Sequence, residues 1–340
     1  MLVLLEIAHR LIYQSMDPWG GSPWPARAED CLRILRGKDI GEKELPTGAR
    51  LASQSALCER LGIEAVYRGA PHYPPALLQL PEPPPVLFFQ GELPAPQLRQ
   101  VAIVGSRRAS RAGLEMAARL GRGAAAAGLP VVSGLARGID QAAHRACLER
   151  ERSWAVLGCG LDIVYPPEAS GLAAALRRQG GLISEFPPGC PPLPFHFPRR
   201  NRLMAALSSA VLVVEAGAKS GALSTAKAAL ELGRELGVVP SNPLNPSAQG
   251  SNRLLRDGAV PVLDVDDLLA LAGASRLPDR APAPWNAARC RTEGVGDLET
   301  LAVRTGWLLT ECIEALTRWE REGEILRLPR GRFQVLDALR

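Results

Sequence analysis

Between residues 101 and 263 the chain alternates short apolar runs with helical patterns, and this restricts its fold more than any other feature. The runs VAIV (101–104), PVV (130–132), SWAVL (153–157), GLIS (181–184), AVLVVE (210–215), LGVVP (236–240) and VPVL (260–263) read as strands. Helical spacing fills 111–127, 139–151, 170–179, 201–208, 224–235 and 250–257. Strands alternating with helices at this pitch predict an α/β fold, a Rossmann-like, doubly wound and mostly parallel sheet. Nearly continuous apolar strands suit a sheet covered on both faces. Ligands of such sheets sit beyond the carboxyl ends of the strands.

The flanks read differently. Residues 1–70 predict a small helical N-terminal domain, with helical spacing over Leu51 to Leu61. Residues 71–273 form the sheet domain, entered through a proline-rich extended lead-in at 71–100 that holds one strand, Val86 to Gln90. A Pro- and Ala-rich linker follows at 274–296. Residues 297–340 predict a winged-helix domain: a helix near 298–304, a second from Thr310 to Glu322, then strands Ile325–Leu328 and Phe333–Leu336 around a Pro-Arg-Gly-Arg turn. The first apolar run breaks at Glu6, so neither a signal peptide nor membrane insertion is expected. The seven cysteines are scattered without C-x-x-C spacing, which suits a reducing cytoplasm.

Charge is concentrated in the middle of the chain. Residues 101–260 carry nineteen Lys/Arg against eleven Asp/Glu, a surplus of eight, while 298–340 carry seven of each. An anionic partner is one source of such a surplus; arginine-rich composition is another, since only four of the forty basic residues are lysine. Three small-residue turns follow strands and fall on one sheet edge. They are Gly105-Ser106-Arg107-Arg108, Ser133-Gly134-Leu135-Ala136-Arg137-Gly138, and Lys219-Ser220-Gly221. Backbone N–H groups and helix N-termini at such turns favour phosphate. A tight strand-to-helix connection explains any single turn equally well. The run Phe195-His196-Phe197-Pro198-Arg199-Arg200-Asn201-Arg202 places three arginines and three aromatic rings just before a helix. Arginines bind phosphates bidentately and aromatic faces stack unpaired bases. Asn201 either reads a base edge or caps the helix.

Catalytic patterns are missing. No G-x-x-x-x-G-K-[ST] P-loop occurs, and Gly158-Cys159-Gly160 lacks the third glycine of a dinucleotide fingerprint. Asp140 and His144, one helical turn apart, read as a helix-terminal carboxylate and a packing imidazole more readily than as metal ligands. Cys159 reads as a small core residue. No metal, cofactor or enzymatic activity is expected.

Taken together, VAIVGSRRAS (101–110), SGLARGIDQAAH (133–144), AVLGCGLDIVYPPE (155–168), LISEFPPG (182–189), the long segment from Phe197 to Arg234 and GSNRLLRDGA (250–259) resemble the DNA-processing protein A family, also called DprA or Smf. The lead-in at 73–93 is similar as well, and Ser241 stands where the family usually has glycine. The resemblance implies a cytoplasmic, non-catalytic protein. Such a protein binds single-stranded DNA, protects incoming strands in natural transformation, loads the RecA recombinase and dimerises through the Rossmann-like domain. Carried over by motif, the phosphate contacts are Gly105, Ser106, Arg107, Ser133, Gly134 and Gly138, with the cluster Arg199, Arg200 and Arg202. Lys219 and Lys227 are further candidates. Charge reversal at Arg199 and Arg200 is then expected to abolish DNA binding and leave the fold intact. The competing reading is a nucleotide-binding or nucleotide-hydrolysing enzyme of a related fold. Against it, strand 210–215 runs into Glu215-Ala216-Gly217 without the Pro-Gly-Gly turn of the lonely-guy type phosphoribohydrolases.

Overall fold

The computed structural model describes residues 48–274, 287–292, 294–305, 309–329 and 331–336. Two compact units divide the chain, Met1–Arg276 and Leu277–Arg340. In the first, α1 (Gly48–Leu61) leads into β1 (Glu64–Tyr67) and β2 (Val86–Gly91). The alternating region follows: β3 (Val101–Val104), α2 (Arg111–Ala126), β4 (Val131–Ser133), α3 (Ile139–Cys147), β5 (Ser153–Val156), α4 (Ser170–Arg178) and β6 (Gly180–Ser184). After these come α5 (His196–Leu207), β7 (Ala210–Val213), α6 (Ala222–Glu231), β8 (Glu235–Val238), α7 (Gln249–Arg256), β9 (Val260–Pro261) and α8 (Val265–Leu271).

All nine strands join one sheet in the order β1-β2-β6-β5-β4-β3-β7-β8-β9. From β6 to β9 every neighbouring pair is parallel; β1 with β2 and β2 with β6 are antiparallel. The alternation of side chains along a strand divides the core in two. Ala102 and Val104 face the layer holding Leu203, Met204 and Ala226, while Val101 and Ile103 face the layer holding Ala117, Leu120 and Ala143. Burial on both faces explains the uninterrupted apolar runs. The chain leaves β3 in one direction through β4, β5 and β6, then returns to β7 on the other side of β3. The carboxyl ends of β3 and β7 are therefore the topological switch point, where crossovers diverge and leave a crevice.

Two expectations need correction here. Glu64–Tyr67 forms a strand paired with Val86–Phe89, so a helical region does not run to residue 70. Leu51 and Cys58 of α1 pack with Phe88 and Leu172 in one core cluster, which joins that helix to the sheet. Residues 1–47 of the expected helical domain lie outside the described residues. The basic run at 195–202 is not a loop before a helix: α5 begins at His196, five residues earlier than the spacing indicates.

In the second unit, α9 (Ala287–Thr292), α10 (Leu298–Thr305) and α11 (Leu309–Arg321) precede an antiparallel hairpin of β10 (Ile325–Leu328) and β11 (Arg332–Val335). Cys290, Trp319 and Phe333 share its core. The expected linker thus ends in a helix, and its residues 275–286 lie outside the described residues. Among the described residues no helix is long and apolar enough to cross a membrane.

One buried imidazole gives the first unit a pH dependence. His144 is fully buried, with Nδ1 2.8 Å from Ser153 Oγ. Burial, reinforced by the positive Arg200, pushes its pKa down to about 3. The unfolded chain takes up this proton near about 6.5, so the folded state loses stability as pH falls below that value. The loss is about 1.4 kcal/mol per pH unit. His144→Asn removes this contribution. Urea unfolding at pH 7 and pH 5 should show wild type losing about 2 kcal/mol more than the variant over that interval.

Candidate functional site

The first two turns at the sheet edge spend several of their main-chain donors internally. Ser106 N–H donates to Glu215 O at 2.7 Å. Arg108 N–H donates to Ser106 Oγ at 3.1 Å. Ser110 caps α2, accepting from Gly113 N–H at 3.0 Å, and donates its own N–H and hydroxyl to the Glu215 carboxylate. That carboxylate is buried at the helix N-terminus, where an anion would otherwise sit. Asp140 does the same for α3, accepting from Gly134 N–H at 3.1 Å and Ala136 N–H at 3.3 Å. Gly138 has φ 78°, and a Cβ there would collide with the Ser106 carbonyl, so only glycine fits this close approach. Ser133 Oγ donates to Ile103 O at 2.6 Å. Ser133 and Gly134 are buried and tie adjacent strand ends together, which corrects their assignment as phosphate contacts. At the third turn, Ser220 N–H donates to Gly217 O and Ala222 N–H to Ser220 Oγ.

Helical phase divides the run at 195–202. Arg200 is buried; its guanidinium donates to Gly134 O at 2.9 Å, to Val156 O, and from Nε to Asn201 Oδ1 at 3.0 Å. A Cβ at Gly134 would collide with that guanidinium. Asn201, also buried, donates from Nδ2 to Gly221 O at 3.0 Å and Ser224 Oγ at 2.7 Å, so it neither caps α5 nor offers a free amide donor. His196 is buried with its ring 4.0 Å from that of Phe186, closing it to a base. Arg199 and Arg202 lie on another flank of α5, where both donate to the buried Glu185 carboxylate at 3.1 and 2.6 Å. Arg137 pairs with Glu168 and Lys227 with Glu231, each in solvent. Phe195 is exposed and edge-on to His196.

The remaining candidates converge on a cleft of about 930 Å³ at the switch point. Gly105, Ser106, Arg107 and Arg108 line it from the β3 side, and Lys219, Ser220 and Gly221 from the β7 side. Phe197, Arg200 and Asn201 also contribute to its walls. Arg107, Arg108 and Lys219 are exposed. The Arg107 guanidinium lies 5.1 Å from the centre of the Phe197 ring, and the Tyr165 ring lies 5.7 Å beyond on a tilted plane. Tyr165 is a lining residue that sequence reasoning missed. Its signal was an aromatic residue before Pro166-Pro167, in a segment matched to the family but given no role. Ser133, Gly134, Arg137, Gly138, Phe195, His196, Arg199, Arg202 and Lys227 do not line the cleft.

Beneath the cleft the charges are buried. Burial pushes the Asp140 carboxyl up to about 6, against the opposing pull of Arg200 and of the Ala136, Gly134 and Gly105 N–H groups. Burial lowers Arg200 to about 10, with Asp140 opposing. The Cys159 thiol is pushed up to about 12 by burial, leaving it an unreactive packing group. Among the described residues, no group of three or more His, Cys, Asp or Glu could hold a metal ion. The cleft thus offers cations at its rim, an aromatic face, and a floor where Arg200, Asn201 and Asp140 are hydrogen-bonded internally while the buried Thr225 hydroxyl has no partner.

Burial changes the expected behaviour of the arginines. Arg200 cannot be charge-reversed with the fold intact, because its removal strands Asp140 in the interior. Arg200→Ala should destabilise the first unit by about 3 kcal/mol or more. Arg107→Ala, at an exposed site, should stay within about 1 kcal/mol of wild type. Urea denaturation of the two variants checks both values.

The family model for DNA recombination-mediator protein A matches residues 64–273. Protein Smf of Escherichia coli K12 is 38% identical over 308 residues, spanning 85% of this chain and 82% of that protein. The X-ray structure of DNA processing protein A from Streptococcus pneumoniae is similar with a TM-score of 0.62 and 31% identity, covering 79% of this chain and 93% of that one. DNA processing protein A from Helicobacter pylori, described as having a unique single-stranded DNA binding mode, is similar with a TM-score of 0.56 and 29% identity. That match covers 63% of this chain and 97% of the other.

Proposed function

The chain belongs to the DNA recombination-mediator protein A family, and on that premise we propose that it binds single-stranded DNA in the cleft between the ends of β3 and β7. It would protect incoming strands, load RecA recombinase onto them in natural transformation and recombination, and catalyse no reaction itself. The observation that carries this reading is the exposed trio Arg107, Arg108 and Lys219 around a cleft with aromatic walls. Cations without positioned base-reading donors give affinity with little sequence preference. Rings favour unpaired bases, because a duplex keeps its base faces stacked. The single-stranded DNA binding ascribed to the Helicobacter pylori protein supports the same ligand.

Two copies joined through their Rossmann-like units would hold one strand at two points, raising avidity without new contacts. The helices and hairpin of the second unit fit a winged-helix module, to which the helix at Ala287–Thr292, expected as linker, contributes core residues. Residues 298–340 carry no net charge, which favours a protein contact or weak DNA contact for this module. The setting proposed for this activity is the cytoplasm.

Side-chain cations set the number of phosphates neutralised, because a main-chain N–H carries no net charge. Three such contacts give a log–log salt slope of about −2 on single strands, from about −0.7 per phosphate. Raising salt from about 50 to 200 mM should then weaken binding about twentyfold, and Arg107→Ala should reduce the slope by about 0.7. Titrating matched single- and double-stranded oligonucleotides, with a nucleotide-hydrolysis assay alongside, tests the proposal. Equal affinity for duplex, or turnover of a nucleoside phosphate by purified protein, overturns it.

The proposed site lies wholly within the first unit. A chain ending at Ala274 should therefore keep its affinity for single strands within about threefold, because the lost residues change net charge little. Sedimentation and DNA titration of the shortened protein against full length check this.

A further inference from the structure

Tyr165 sits at the outer end of a ladder of planar groups. Arg107 lies over Phe197, and Phe197 is followed by Tyr165, whose ring is 40% exposed and lines the cleft. Tyr165 thus faces solvent as well as cleft, as Arg107 does at the other end. Three residues further on, Glu168 holds the Arg137 guanidinium in an ion pair. Arg137 comes from the turn after β4, so the pair joins that turn to the Tyr165 loop. Both partners are well exposed, at 64% and 47% of their side-chain surface. An ion pair in water is worth little, and a phosphate competes readily with its carboxylate. A surface that offers cations and rings together suits a polynucleotide, in which charged backbone alternates with flat bases.

Resting on the reading of the cleft as a single-stranded DNA site, we infer that the strand leaves the cleft across Tyr165 onto Arg137, which exchanges Glu168 for a backbone phosphate. Tyr165 stacks the base at the exit, and Arg137 holds the phosphate beyond it. Glu168 is the competitor that keeps Arg137 placed when no strand is bound. No bond is made or broken; one carboxylate–guanidinium contact is replaced by one phosphate–guanidinium contact.

The test uses the full chain with a 20-nucleotide oligothymidine and with an abasic strand of the same length, each titrated at several salt concentrations. Glu168→Gln releases Arg137 and should tighten binding of oligothymidine about threefold, whereas Arg137→Ala removes one phosphate contact and should make the salt slope shallower by about 0.7. Tyr165→Ala should weaken oligothymidine binding about tenfold and leave the abasic strand unchanged, and Tyr165→Phe should bind as wild type does. Thermal unfolding of the variants confirms that the fold is retained, as expected for exposed positions. If wild type binds, an unaltered affinity in Glu168→Gln, an unaltered slope in Arg137→Ala, or an equal effect of Tyr165→Ala on both strands overturns the exit path and leaves the cleft reading standing. Failure of wild type to bind oligothymidine at all overturns the cleft reading, and the path with it.

Discussion

One buried guanidinium holds the ends of two strands. Arg200 donates to carbonyls at the ends of β4 and β5 and braces Asn201, which reaches to the start of α6. Asp140, acting on the charge of Arg200, gathers N–H groups from the turn after β4. Turns that are far apart in sequence are therefore tied to one side chain on α5. Burying such charges is unfavourable unless their partners are complete, so few arrangements of these turns are tolerated. The position of Arg107 over Phe197 depends on this scaffold, because α5 carries both Phe197 and Arg200.

The same economy decides how an anion can be bound. In many α/β proteins a phosphate rests on a helix N-terminus and completes its free N–H groups. Here Glu215 and Asp140 occupy those positions at α2 and α3. Two negative charges of the chain's own lie against the helix dipoles and stabilise the turns. What remains is the rim, where side chains rather than main chain supply the positive charge. Rim contacts are solvated, sensitive to salt and tolerant of sequence, the properties needed to hold a strand of arbitrary composition.

The alternating strands were legible because burial on both faces leaves no polar position to interrupt them. β1 was not, since four residues beginning with a glutamate, close behind α1, carry no period of their own. The start of α5 was misjudged because Pro198 reads as a helix boundary. In the first turn, however, a proline lacks only an N–H that the helix would leave unpaired. That shift matters for the site: phase along α5 sends Arg200 and Asn201 inward and Arg199 and Arg202 toward Glu185. The residue types were readable in advance, but the face each one occupies was not. Tyr165 lies far in sequence from Arg107, and only the folded chain brings their planes onto one ladder.

Formal charge and available charge also separate in the folded protein. The surplus of eight between residues 101 and 260 counts every arginine equally. In the structure, Arg199 and Arg202 share one buried carboxylate, Arg200 is buried above Asp140, and Arg122, Arg137 and Lys227 hold acidic partners in solvent. A buried ion pair keeps its cation, because exposing the lone carboxylate is unfavourable. A solvent-exposed pair yields it at little expense. The basic residues therefore form a graded set: Arg107, Arg108 and Lys219 at the cleft, Arg137 behind a weak exposed pair, and Arg199, Arg200 and Arg202 held by structural contacts.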